Sequence, residues 1–169
     1  MTNGYVGYGN ADRWDSTYSS HDSYPTWLGK SIWKIVHEYL DRDNNLENFK
    51  KDLLECGEWD QMEECTDCGK RGLGLALTDP ETGEHYHEEV VSRDEIGNAT
   101  YDPQNNLWPE IGCDWWYLVS GDDFTLSIGH PDDVFTPEYV IDLRGKEPNW
   151  DKVWAGEKDI YDEEDGARL

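Results

Sequence analysis

WLGKSIWKIVHEYLDRDNNLENFKKDLLEC, residues 27–56, carries the clearest structural signal in the chain. Leu28, Ile32, Ile35, Val36 and Tyr39 recur at spacings of three and four, the period of one helix face. Pro25 and Thr26 precede the run, and Thr26 suits its N-terminal cap. Asn44 and Asn45 interrupt the pattern. Asn44 with Glu47 then fits a capping box, and Leu46, Phe49 and Leu53 form the apolar stripe of a second helix ending at Gly57. The spacing therefore predicts a helical hairpin over 27–56.

Downstream the period changes to two. Leu73, Leu75 and Leu77 alternate, Asp79 to Gly83 (DPETG) is turn chemistry, and Glu84 to Val91 can return as the partner strand. Trp115 to Ser120 (WWYLVS) and Phe124 to Ile128 (FTLSI), joined by Gly-Asp-Asp, predict a second hairpin. Tyr139 to Leu143 (YVIDL) predicts a further strand, and Trp150, Val153 and Trp154 a short helix that closes the core. Residues 1–26 are rich in Gly, Ser and Tyr without a clear period. They read as an irregular arm whose Tyr5, Tyr8, Trp14, Tyr18 and Tyr24 pin it to the body. The expected architecture is α+β: a helical hairpin packed on a small antiparallel sheet. It forms one domain over 27–158 between the arm and a mobile acidic tail, 159–169.

The chain has 169 residues, enough for one domain with a sizeable core. Its hydrophobic content is only 36 %, a value that alone would favour disorder. Nine Trp, ten Tyr and three Phe decide against that, because disordered segments are poor in large rings. The formal charge is −24, from 38 acids and 14 bases. Residues 27–54 are neutral, with five acids and five bases, whereas residues 55–169 hold thirty acids against eight bases. Such a surface repels nucleic acid and anionic membranes and attracts basic proteins or metal cations. With no apolar run near ~20 residues and no signal-peptide pattern at the start, the expected location is the cytoplasm.

Cys65-Thr-Asp-Cys68-Gly-Lys is the strongest local motif. Two cysteines two residues apart, followed by a glycine, form a tight turn that aims two thiolates at one ion. The segment resembles the knuckle of zinc ribbons over some ten residues, and the hairpin after it suits that family. A ribbon carries a second Cys-x-x-Cys pair, which this chain lacks. A zinc site would take two more ligands from Cys56, Cys113, His85 and His87, the two histidines sharing one strand face. The competing reading makes the four cysteines small apolar core residues of a reducing compartment. A redox role is disfavoured, because Glu63, Glu64 and Asp67 beside the pair oppose thiolate formation.

Other chemistry is weaker. Asp41, Asp43, Asn45 and Asp52 resemble an EF-hand loop, but its sixth position requires Gly and is Leu46 here. Phosphate-binding glycine loops, nucleophile elbows and zinc-protease helices are absent from the sequence, and His21, His37 and His130 stand alone. The expectation is a non-enzymatic protein.

Three explanations fit the acid: mimicry of nucleic acid, adaptation to high salt, and the solubility of a small zinc-binding accessory or adaptor protein. Mimicry is favoured on magnitude. Duplex DNA carries a charge per ~1.7 Å, so the net charge matches roughly 40 Å of duplex, close to the diameter of a domain with a radius of gyration of about 15 Å. In composition, size and lack of catalytic motifs the chain is similar to the acidic DNA-mimic inhibitors that phages and mobile elements use against restriction or CRISPR enzymes. That similarity implies a basic nucleic-acid-binding protein as partner, bound without direct contact to nucleic acid. Glu58, Asp60, Glu63, Glu64, Glu88, Glu89, Asp122, Asp123, Asp132 and Asp133 are the candidate contact residues, and a homodimer would extend the acidic face.

Overall fold

The computed structural model describes residues 3–10, 12–19, 22–65, 67–70, 76–87, 100–102, 104, 114–130 and 136–162. Within 1–26, expected to be an irregular arm, it contains two strands of the main sheet: β1 (Gly4–Gly9) and β2 (Trp14–Ser19). After them come a π-helical turn, Pro25–Gly29, then α1 (Lys30–Asp43), α2 (Glu47–Glu55) and a 3-10 turn, Trp59–Met62. Next are β3 (Ala76–Thr78), β4 (His85–His87), β5 (Thr100–Tyr101), β6 (Trp115–Ser120), β7 (Thr125–Gly129), β8 (Tyr139–Asp142) and α3 (Trp150–Ala155). The fold is α+β.

Among the described residues the main sheet has six strands in the order β5-β2-β1-β6-β7-β8, and β3 pairs with β4 in a separate two-stranded sheet. The expectation of a small antiparallel sheet is therefore corrected. β1 runs parallel to β6, and every other pairing in the large sheet is antiparallel. This parallel pair joins residues more than a hundred positions apart, which no local pattern announces.

Alternation along the strands separates two cores. Val6, Tyr117, Val119, Leu126, Ile128 and Ile141 face the side that also buries Ile32, Ile35 and Val36 of α1, Phe49 and Leu53 of α2, and Trp150 and Val153 of α3. The opposite face buries Tyr5, Trp14, Tyr101, Trp116 and Leu118. Trp14 stacks between Tyr101, at 5.5 Å, and Trp116, at 6.2 Å between centroids.

The same rings explain Gly7, one of the glycines that hid β1 from period analysis. A Cβ on Gly7 would lie 2.3 Å from Cε3 of Trp14. Trp14 is held from both sides and cannot move away, so Gly7→Ala is expected to destabilise the fold by about 1–3 kcal/mol in urea denaturation.

Three local details differ from expectation. The first helical turn begins at Pro25 with Tyr24 as cap, while the Thr26 hydroxyl is buried without a hydrogen-bond partner. Asn44 closes α1 in the left-handed region, at φ 56°, and Asn45 Oδ1 accepts from the Glu47 amide in place of the capping box. Cys56, in extended conformation, ends α2, and the Gly57 amide donates to Gln61.

The segment expected as a mobile tail is fixed through Asp162. Ile160 is buried in the first core, and its carbonyl accepts from the Asn149 amide at 2.6 Å. The Asn149 side chain donates to Asp162, which holds that carboxyl below the usual carboxylate range. No helix among the described residues is long and apolar enough to cross a membrane.

Candidate metal centre

The 3-10 turn fixes where the metal motif starts. Trp59 is fully buried against Phe49, and its indole N–H donates to Ser31 Oγ at 3.0 Å. Ser31 in turn donates to Glu63 Oε1 at 3.0 Å, tying α1 to the chain two residues before Cys65.

From Cys65 the backbone folds into a knuckle. The Cys65 amide donates to the Lys70 carbonyl at 2.9 Å, and the Gly69 amide to the Cys65 carbonyl at 2.8 Å. Gly69 adopts φ +72°, which its missing Cβ makes cheap. The β3–β4 hairpin closes over DPETG: Asp79 exchanges backbone bonds with Gly83 and Glu84, and its carboxylate accepts from the Glu81 and Thr82 amides. Those bonds, the Glu81 one foremost, hold the Asp79 carboxyl below its ordinary range. Ala76 pairs with His87 and Thr78 with His85, so both imidazoles project from one face of the hairpin.

This register brings the knuckle and the hairpin together at four side chains. Cys65 Sγ lies 3.5 Å from His85 Nε2, and Cys68 Sγ 3.4 Å from His87 Nε2. The two Nε2 atoms are 3.0 Å apart, and all four ligand atoms fall within 4.8 Å of one another. A tetrahedral ion with bonds of about 2.3 Å to sulfur and 2.0–2.1 Å to nitrogen would have edges of roughly 3.5 Å for S···N and 3.3 Å for N···N. The donor set fits a metal ion of that geometry. On the far side of its ring, His85 Nδ1 lies 3.5 Å from Asp67 Oδ2, placing a carboxylate behind the imidazole.

The described residues of this unit lie at the surface. Tyr86 is 47 % exposed, Ala76 and His85 are exposed, and neither buried core contains any described residue of 65–87. A two-stranded hairpin of three residues a side is marginal in water without further support.

Of the six expected metal ligands, then, the structure gathers Cys65, Cys68, His85 and His87. Cys56 stands apart: its thiol donates to the Asp52 carbonyl and packs against the first core. Cys113 lies outside the described residues. Among the isolated histidines, His37 bridges the carbonyls of Trp33 and Leu143, both at 2.7 Å, and His130 packs on Trp115. His21 lies outside the described residues. Asp67 was legible in sequence only as a charge beside the thiols; its place behind His85 depends on the hairpin register.

The expected contact acids fall into two groups. Asp60, Glu63 and Glu64 line one groove beside α1. Glu58 bridges to Tyr18 of β2, which pairs through Tyr5 of β1 to Trp116 near the start of β6. Asp122 and Asp123 follow the other end of β6, roughly 15 Å away along strands that rise ~3.3 Å per residue. Glu88, Glu89, Asp132 and Asp133 lie outside the described residues. Comparison with protein-family models, curated proteins and solved structures finds no match to this chain.

Proposed function

We propose that this protein is a non-enzymatic, zinc-binding acidic adaptor in which a structural zinc ion fastens the β3–β4 hairpin to the Cys65–Cys68 knuckle. The observation that carries the reading is the convergence of four sulfur and nitrogen donors from the knuckle and a hairpin whose described residues join neither core. Two thiolates and two imidazoles are borderline-soft ligands suited to zinc, and four protein ligands leave no open position for substrate. Bound zinc supplies a crosslink, and the hairpin's order follows from it.

The acidic surface supplies the partner chemistry. With a charge of −24 the chain favours a basic protein, met quickly through electrostatic steering that salt weakens. A second reading makes that partner a restriction or CRISPR enzyme whose nucleic-acid groove the chain occludes. It is favoured by the concentration of thirty acids in residues 55–169.

Titration of the metal-free full chain with zinc tests the metal half. One equivalent is expected to bind, and the amide signals of β3 and β4 are expected to disperse as it does. No uptake, or uptake that leaves those signals unchanged, would overturn the reading. Asp67→Asn is expected to keep the one-to-one stoichiometry but weaken zinc about tenfold in chelator competition, because it loses the charge that orients His85.

A further inference from the structure

We propose that the groove between the π-helical turn, α1 and the 3-10 turn is a docking site for an arginine-rich segment of the partner protein. The groove has a volume of ≈ 1000 Å³ and an apolar floor that includes Leu28, Trp33 and Trp59. Trp27 lines it and is 65 % exposed, more than any other large apolar side chain among the described residues. An indole this open to water leaves most of its apolar area unburied, as interface anchors do before binding.

Charge complementarity names the occupant. Asp22, Glu38, Asp60, Glu63, Glu64 and Glu147 line the groove against Lys30 and Lys34, a local excess of four negative charges. One of these carboxylates is already placed, since Glu63 accepts from the Ser31 hydroxyl that Trp59 also engages. A guanidinium satisfies both features at once: its plane stacks on an indole face and its fork pairs with a carboxylate. An ammonium offers a point charge without the flat face, so arginine is selected over lysine. Glu63 and Glu64 run directly into Cys65, so the metal knuckle borders the docking site. The inference rests on the reading of the chain as a binder of basic proteins, and it adds where and by which residue type.

Fluorescence anisotropy with the zinc-loaded full chain tests it, using a labelled nine-residue peptide of alternating arginine and glycine and its lysine counterpart. The arginine peptide is expected to bind at least about fivefold tighter than the lysine peptide. Trp27→Ala, and separately the pair Glu63→Gln with Glu64→Gln, are each expected to weaken it about tenfold. The charge-matched pair Asp122→Asn with Asp123→Asn is expected to change binding by less than about twofold. Equal losses from both acidic pairs would overturn the groove while leaving an acidic binding surface. Absence of binding by the unaltered protein would overturn the arginine site and the basic-partner reading together, with zinc uptake still judged separately.

Discussion

Replacing Cys65 and Cys68 together by serine is expected to abolish stoichiometric zinc binding and to collapse the amide dispersion of β3 and β4. Structural zinc in small finger peptides contributes an apparent ~10–16 kcal/mol at neutral pH, most of it through thiolate and imidazole bonds. Removal of both sulfur donors leaves His85 and His87, whose Nε2 atoms are 3.0 Å apart, as a two-ligand remnant. An affinity loss of at least about a thousandfold is expected, equivalent to ~4 kcal/mol. The rest of the fold should not follow. Neither core includes a described residue of the knuckle or hairpin, so the tryptophan near-ultraviolet signal and the main thermal transition are expected to persist. Chelation of zinc from the unaltered protein should reproduce the same split. A global unfolding on zinc removal would show that the hairpin is energetically part of the main domain.

Trp59→Ala is expected to have the opposite reach, loosening the main fold as well as the approach to the metal site. Trp59 is 1 % exposed and meets Phe49 edge-on at 6.4 Å. Truncating a buried Trp costs about 3–5 kcal/mol, from lost burial and the cavity left behind. For a chain of this size that corresponds to a fall in melting temperature on the order of 6–20 °C, measured by calorimetry. The loss also removes the donor that holds Ser31, which positions Glu63. Trp27→Ala is the contrast: an exposed ring whose removal should shift stability by less than about 0.5 kcal/mol. Two tryptophans on the same groove thus separate stability from binding.

The elements legible in the sequence are those whose signal is local. The 3.6-residue period of Ile32, Ile35, Val36 and Tyr39 gives α1, and the turn chemistry of DPETG gives the β3–β4 connection. WWYLVS and FTLSI give β6 and β7, since two runs rich in aromatic and aliphatic residues around a Gly-Asp-Asp turn need no distant partner to be read. β1 and β2 escaped for a physical reason. Gly7, which breaks the apolar alternation of β1, lies against the Trp14 ring of β2, and β2 itself buries the polar Ser16 and Thr17. The parallel pairing of β1 with β6 is likewise non-local.

The metal centre divides in the same way. Cys65 and Cys68 lie in one turn, so spacing alone announces them. Choosing His85 and His87 over Cys56 and Cys113 requires knowing that Thr78 and Ala76 pair with the two histidines. Asp67 needs that register and the knuckle conformation as well. The acids were legible as a total and as a bias toward 55–169; that Glu58 and Asp122 fall at opposite ends of the central strands follows from pairing alone.

X-ray absorption at the zinc edge, on the zinc-loaded full chain, tests the assignment most directly. Two sulfur neighbours at about 2.3 Å and two nitrogen neighbours at 2.0–2.1 Å are expected. A shell of four sulfurs, or of oxygen and nitrogen only, would contradict the Cys65, Cys68, His85, His87 site.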